Sequence, residues 1–203
     1  DLKLEAYADA NLGGLDTSTR SVTGNLLQIT DSLDSRFPLY WTSKRQTATS
    51  TSTAESELVS LIRLVQDALY PIEGLWEELL RRIISNVTWE DNMACVLVTR
   101  SGFSTALRHM AKHHRLALGV ANEYYTEDHR NLLHCSSIDQ RADALTKGLP
   151  PCKMAWARSM LGVFSIHRGP DADFLAKTVG TDEKKLAEAT ETCLAEFQPK
   201  NKS

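Results

Sequence analysis

The order in which strand and helix patterns follow one another constrains the fold of this chain more than any other feature. Three strand patterns come first, at residues 2–8, 23–30 and 38–43, where side chains alternate in polarity or β-branched residues collect. Short polar stretches separate them, which predicts an antiparallel meander. The chain therefore begins with a sheet rather than with a helical bundle.

Helix and strand patterns alternate after a Ser/Thr-rich stretch at residues 47–53. A helix is predicted next, because apolar residues recur at helical spacing. Its apolar stripe consists of Leu58, Leu61, Ile62, Val65 and Leu69. Pro71 either ends this helix or begins a second one that runs to Arg82.

The remaining patterns complete an alternation of helices and strands. They are a strand at 86–90, a helix from about 93, a long helix at about 105–125, a strand at 131–135 and a helix at 139–149 that Pro150 and Pro151 end. The order βββ, α, β, α, β, α predicts an α/β domain with a mixed five-stranded sheet flanked by helices.

The patterns weaken toward the C-terminus, which predicts two regions. The first is a domain at residues 1–164, and the second is a charged tail at 165–203 with one helix at about 182–197. Because Asp1 stands only a few residues before the first strand pattern, we expect the chain to be a piece of a longer polypeptide.

Composition narrows the class of protein. The formal net charge of -3 argues against a strongly basic polyanion binder, although a nuclease that gathers carboxylates around cations is compatible with it. The sequence has neither a long apolar run nor a secretory signal, so we expect an intracellular protein. The cysteines lack metal-site spacing, which predicts reduced thiols at Cys95, Cys135, Cys152 and Cys193.

Carboxylates stand at the ends of several predicted elements. Asp9 closes the first strand, Asp91 closes the fourth, Glu57 lies in the first turn of the first long helix, and Asp143 lies in the last helix of the domain. Ligands bind such sheets at the carboxyl ends of strands, where these side chains could converge. Two divalent ions about 3.5–4 Å apart, held by carboxylates, would activate water for phosphodiester hydrolysis.

Each carboxylate also has a structural alternative. Asp9 could form an Asx turn, Asp91 could cap the helix from Met93, and Asp143 could pair with Lys147 one turn later. Ser52 and Glu55 have the spacing of a capping box, and helical phase does not choose between Glu55 and Glu57 as a ligand. Spacing alone therefore leaves both interpretations open.

Four segments of the chain together resemble one known family. They are LEAYADANLGGLDTSTRSVTG, YWTSKRQTATSTSTAESELVSL, WEDNMA and SSIDQRADALTKGLP. In order and spacing they resemble the ribonuclease H domain that ends copia-type retrotransposon polyproteins, over roughly residues 4–161. The resemblance implies a ribonuclease H-like fold and an endonuclease that cuts the RNA strand of RNA–DNA hybrids during reverse transcription.

The resemblance also assigns residues and partners. It places the metal ligands at Asp9, Glu57, Asp91 and Asp143, with two Mg²⁺ or Mn²⁺ ions as cofactors. It implies that Asp9 bridges the ions, that Glu57 and Asp91 hold the ion that positions water, and that Asp143 holds the ion that faces the leaving group. An upstream reverse transcriptase domain on the same polypeptide is the implied partner, in cytoplasmic virus-like particles or the nucleus.

Nucleic-acid contacts are predicted beside these carboxylates. Cations end the third strand, and hydroxyls lie at a helix N-terminus, where phosphates bind well. The candidates are Lys44, Arg45, Gln46, Ser52, Thr53, Asn92, Lys112 and His113. The last two belong to a basic cluster at 108–115, for which a histidine metal site and a solvated face are the alternatives.

The sequence departs from the family pattern at six positions, and these departures affect the expected catalytic efficiency more than the expected fold. They are Asn11, Leu12, Ala117, Gly119, Cys135 and Ser136. A module that binds hybrid or supports a polymerase without turnover is therefore the alternative function. An integrase or exonuclease on the same fold is a third hypothesis, which the motifs disfavour.

Overall fold

The computed structural model describes residues 2–13, 19–33, 35–149, 154, 157, 158 and 161. The chain divides into two compact units, Asp1–Lys147 and Gly148–Ser203, and the elements below belong to the first unit. The predicted boundary near Phe164 and the predicted tail helix at 182–197 lie outside the described residues. They stay predictions.

Five strands form one mixed sheet. They are β1 Lys3–Asn11, β2 Val22–Thr30, β3 Arg36–Arg45, β4 Asn86–Glu90 and β5 Arg130–His134. Their order is β3-β2-β1-β4-β5. The first three strands pair antiparallel, and β4 pairs parallel with both β1 and β5. The predicted meander and the predicted mixed five-stranded sheet are confirmed.

One long helical run covers a face of the sheet. It consists of α1 Thr53–Leu64, a π-helical turn Val65–Leu69 and α2 Tyr70–Leu80. Pro71 lies at the start of α2, where its missing N–H and its ring are accommodated after the widened turn. A second helix does begin beside Pro71, as one of the two predictions had it, but the first helical segment continues into it without a break. The run ends at Leu80, because Arg81 adopts the left-handed conformation.

The apolar stripe of this run forms the centre of the core. Its five predicted residues are completely buried, beside Leu4 and Ala6 of β1 and Leu27 of β2. Burying one such side chain contributes about 1.5–3 kcal/mol. The apolar face of the helical run therefore packs against the apolar face of the sheet, and this contact fixes α1 relative to β1.

The later helices are shorter than the sequence predicted. The prediction of one helix at 105–125 was wrong: α4 Met110–His113 and α5 Leu118–Tyr124 are separated where Arg115 adopts a positive φ of 56°. The predicted helix at 139–149 was also wrong, since that segment contains only a 3₁₀ helix, Arg141–Leu145. The helix from Met93 is confirmed as α3, Met93–Ser101.

Two further features of the described residues concern the cysteines and the apolarity of the helices. Cys95 and Cys135 are buried free thiols, as predicted, and the other two cysteines lie outside the described residues. Within the described part of the chain, no helix has the length and apolarity needed to cross a membrane.

Candidate functional site

Three of the predicted carboxylates converge at one edge of the sheet. Asp9 lies near the end of β1, and Asp91 directly follows β4. Glu57 is the fifth residue of α1, just beyond the first turn in which it was predicted. One oxygen from each lies within 4.8 Å of the oxygens of the other two. The parallel pairing of β1 with β4 causes this convergence, because it brings the carboxyl ends of both strands to the same edge.

Burial makes this cluster electrostatically unfavourable without a cation. Asp9 is 4% exposed and Glu57 is 3% exposed. Burial and the charges of Asp143 and Asp91 raise the pKa of Asp9 from the ordinary 3.8 to about 6, although a hydrogen bond from Thr146 opposes the change. Burial and neighbouring carboxylates also raise the pKa of Glu57 well above its usual range.

The donor set fits a hard divalent cation. All three groups offer oxygen, which Mg²⁺ and Mn²⁺ prefer. Oε2 of Glu57 is buried and has no hydrogen-bond partner among the residues that the structure describes. The carboxylates line an open cleft of about 590 Å³, which leaves space for water and a phosphate. A cation would satisfy the orphaned oxygen and offset the repulsion.

Asp143 lies beside this cluster but does not belong to it. It is in the 3₁₀ helix and forms an ion pair with Lys147, the structural alternative that the sequence suggested. Its charge nevertheless acts on Asp9, and Lys147 lines the cleft with Asp9 and Asp91. The structure thus brings three predicted ligands together and pairs the fourth with an ammonium group.

Several hydrogen bonds fix the end of β1. Thr146 Oγ1 donates to Oδ2 of Asp9, and Ser60 Oγ donates to the Asp9 carbonyl over 2.9 Å. Nε2 of Gln140 donates to the Ala8 carbonyl over 2.8 Å. The 3₁₀ helix is therefore attached to β1 on both sides of Asp143, which explains why a longer regular helix does not form there.

Glu90 is an acidic neighbour of the cluster that the sequence analysis missed. It is completely buried, its Oε1 accepts from the Asn92 N–H over 3.1 Å, and its Oε2 has no partner among the described residues. Burial raises its pKa well above the usual range, and its charge also acts on Glu57. The available signal was alternation in β4, where Asn86, Thr88 and Glu90 share the buried face.

The predicted nucleic-acid contacts fall into exposed and internal groups. Lys44, Arg45, Lys112 and His113 are exposed, while Thr53 and Asn92 line the cleft. Gln46 is different: it is 5% exposed, and its amide nitrogen donates to the Thr23 hydroxyl and the Ser56 carbonyl. Buried amides require such partners, so the Gln46 side chain is held inside the protein by its own hydrogen bonds.

Two predicted contacts also serve as helix caps. Ser52 Oγ accepts from the Glu55 N–H over 3.2 Å at the start of α1, and Asn92 Oδ1 accepts from the Cys95 N–H over 3.2 Å at the start of α3. The Ser52–Glu55 cap is therefore confirmed in one direction. The Glu55 carboxylate does not return to the Ser52 N–H but accepts from Thr51 instead.

Histidines of the basic cluster surround Glu55. Nε2 of His109 and Nε2 of His114 lie 2.8 and 2.9 Å from Oε1 of Glu55. Burial alone would raise the pKa of Glu55, but hydrogen bonds from Thr51 and from both imidazoles lower it to about 2. The interpretation of this cluster as a solvated face was therefore wrong for His114, which is 2% exposed.

Solved structures of known proteins resemble this chain, whereas protein-family profiles do not match it. No known protein-family profile matches the chain. The ribonuclease H1 of the halophilic archaeon Halobacterium salinarum NRC-1 is 14% identical, with a TM-score of 0.49 over 71% of this chain and 94% of that one. LC11-RNase H1, isolated from compost by a metagenomic approach, is 16% identical, with a TM-score of 0.48 over 71% and 92%.

A third likeness is to a complex. LC11-RNase H1 bound to an RNA/DNA hybrid is 18% identical, with a TM-score of 0.46 over 71% of this chain and 94% of that one. The strand order and strand directions of the sheet, rather than these likenesses, define the fold class described above.

Proposed function

We propose that this chain is a divalent-metal-dependent endonuclease that hydrolyses the RNA strand of RNA–DNA hybrids. The observation that carries the proposal is the convergence of Asp9, Glu57 and Asp91 in an open cleft. Three clustered carboxylates, of which Asp9 and Glu57 have raised pKa values, are unfavourable in isolation, and a bound cation would compensate for this cost.

The chain's own residues would hold the ions and the substrate. When bound, divalent ions supply water activation and stabilise the leaving oxygen. Asp9, Glu57 and Asp91 would hold them, with Asp9 kept in place by Thr146 and Ser60. Asp143 would take part after it separates from Lys147. Two ions are the number that the family resemblance supports.

Substrate recognition would use backbone shape, because hydrolysis must occur at any sequence. Lys44, Arg45, Lys112 and His113 are exposed and offer charge and donors to phosphates. Discrimination of RNA from DNA would depend on the 2′-hydroxyl. The sequence motifs support a place after a reverse transcriptase domain in a copia-type polyprotein, in cytoplasmic virus-like particles or the nucleus.

One observation favours a second candidate function. Lys147 already pairs with Asp143, so a chain that cannot release this pair would bind hybrid with little turnover. Such a chain would act as a binding module that supports the polymerase domain.

Cleavage of a labelled hybrid separates these functions. We would incubate the protein with RNA–DNA hybrid, RNA duplex and DNA duplex in Mg²⁺ or Mn²⁺. RNA cleavage in the hybrid alone is expected, lost in Asp91→Asn and retained in Asp128→Asn, since Asp128 is an exposed residue outside the cleft. Binding without cleavage would favour the second candidate, and DNA cleavage would contradict both.

A further inference from the structure

Glu55 is a buried carboxylate that the proposed chemistry does not use. It is completely buried and lies outside the three-carboxylate cluster. Its Oε2 accepts from the N–H and the hydroxyl of Thr51 over 2.7 and 2.6 Å, and its Oε1 faces Nε2 of His109 and His114. Because an ionised carboxylate only accepts, both imidazoles must donate from Nε2.

These donors come from two segments far apart in sequence. One is the loop at residues 46–52, which leads into α1, and the other is the segment at 109–114. A further contact joins them, since Nε2 of His113 lies 3.0 Å from the Thr49 carbonyl. A buried charge is stable only when its hydrogen bonds are complete, so Glu55 ties both segments to the start of α1.

The first segment is also fixed at its beginning. Ser50 Oγ donates to Oε1 of Gln46 over 2.9 Å, and the Gln46 amide donates to the Ser56 carbonyl of α1. The loop therefore has internal anchors at Gln46 and Thr51, while Thr47 and Thr49 remain exposed between them. It leads directly to Thr53 and Glu57, which line the cleft.

We propose that Glu55, with His109 and His114, is a positioning group that holds the exposed Ser/Thr loop and the Lys112–His113 pair in one preformed phosphate-binding edge beside the catalytic cleft. The inference rests on the proposed function. Glu55 touches neither substrate nor the reacting atoms; it acts through the loop at 46–52 and through His113.

Loss of this group has a defined consequence for kinetics. Without the carboxylate, the Thr51 N–H and the buried His114 lose their acceptor, and the loop samples more conformations. Substrate binding must then order the loop, which weakens affinity. Because Glu55 lies outside the cluster of Asp9, Glu57 and Asp91, the rate of the bound complex is unaffected.

Binding and turnover measured separately test the proposal. We would compare wild type with Glu55→Ala, His114→Ala and their double variant, with Glu78→Ala as the matched control, since Glu78 is an exposed glutamate of α2. Hybrid affinity would be measured by fluorescence anisotropy in Ca²⁺, kinetics in Mg²⁺, and cleft integrity by Mn²⁺ affinity. Amide hydrogen exchange would report on residues 47–52.

The expected result is a change in binding alone. Glu55→Ala and His114→Ala should each raise the Kd for hybrid and KM about tenfold, while kcat and Mn²⁺ affinity stay within about twofold of wild type. The double variant should be no worse than the stronger single variant, because both remove one network. Exchange at Thr51 should accelerate, Glu55→Gln should be intermediate, and Glu78→Ala should match wild type.

Other results would overturn the proposal. Unchanged hybrid affinity in Glu55→Ala, or a fall in kcat and Mn²⁺ affinity equal to the change in KM, would assign Glu55 only a structural role. A wild-type chain that neither binds nor cleaves hybrid would instead overturn the proposed function, and this inference with it.

Discussion

Lys147 places a permanent cation among the predicted metal ligands. Its ammonium pairs with Asp143 and lines the same cleft as Asp9, Glu57 and Asp91. Burial alone would lower the pKa of Lys147, but the hydrogen bond and charge of Asp143 and the charges of Asp9 and Asp91 raise it. The group therefore stays charged at neutral pH and competes with divalent cations.

Removal of this charge should strengthen metal binding. We expect Lys147→Met to lower the Kd for Mn²⁺ about three- to tenfold, because a unit charge a few ångströms away contributes on the order of 1 kcal/mol in a partly solvated site. Calorimetric titration with Mn²⁺ would measure the change, and Lys44→Met would serve as the control outside the cleft. Weaker binding in Lys147→Met would show instead that Lys147 holds Asp143 in its working position.

At the residue scale, the sequence predicted the site through motif order rather than through spacing. Asp9, Glu57 and Asp91 do converge, but spacing alone could not distinguish ligands from caps. Glu90 was missed because its neighbour Asp91 matched the motif, although alternation in β4 placed Glu90 on the buried face with Asn86 and Thr88. Glu55 was understood only as a cap, since its histidine partners come from a distant segment.

At the scale of elements, the 3₁₀ helix depends on a single glycine. A Cβ atom at Gly24 of β2 would lie 2.6 Å from Cγ2 of Thr146 and 2.9 Å from the Ala142 carbonyl. This close approach lets the 3₁₀ helix lie against the sheet, with Thr146 bonded to Asp9 and with Asp143 beside the cluster. Glycine at position 24 is therefore a condition for the geometry of the site.

Gly24→Ala should displace this helix. We expect an unfolding free energy lower by about 1–3 kcal/mol, because overpacking forces the backbone to shift. Mn²⁺ affinity should fall as well, since Thr146 loses its bond to Asp9. Urea unfolding and Mn²⁺ titration would measure the two effects. Gly74→Ala in α2 is the control, because a Cβ atom there meets nothing within 4 Å. That substitution should raise the free energy of unfolding by up to about 1 kcal/mol. If Gly24→Ala kept wild-type stability and affinity, the helix would not depend on this contact.

Strands were easier to predict than helices in this chain. Alternating polarity identified β1, and short separators identified the meander, because both signals are local. The helix is interrupted between α4 and α5 because Arg115 adopts a left-handed conformation. Arginine has no preference for that conformation, so the sequence gives no sign of the break. The 3₁₀ helix depends on tertiary bonds from Gln140 and Thr146 to β1, which no local pattern encodes.

At the scale of the whole molecule, the site is a source of instability. The strand order places β1 between β2 and β4, so the acidic ends of β1 and β4 meet where α1 brings Glu57. The same arrangement that creates the cleft thus forces buried carboxylates together. The stability of the metal-free protein should depend on their protonation.

The pH dependence of unfolding should reveal this cost. Because the pKa of Asp9 is raised from 3.8 to about 6 on folding, the native state binds more protons than the unfolded state between these values. Stability therefore falls as pH rises through this window, by on the order of 3 kcal/mol. The raised pKa of Glu57 acts in the same direction. The lowered pKa of Glu55 acts in the opposite direction at more acidic pH, so a difference between variants is the cleaner measurement.

Asp9→Asn provides that difference, because it removes the charge and keeps the size and an acceptor for Thr146. In EDTA, urea unfolding should show equal stabilities for wild type and variant near pH 4, with the variant ahead by on the order of 3 kcal/mol at pH 7.5. Added Mn²⁺ should stabilise wild type at pH 7.5 and have little effect on the variant, since ligand binding to the native state alone raises the free energy of unfolding. A difference in unfolding free energy that stays constant with pH would mean that the Asp9 carboxylate is not destabilised by burial and by its neighbours. The electrostatic argument for a cation in the cleft would then fail.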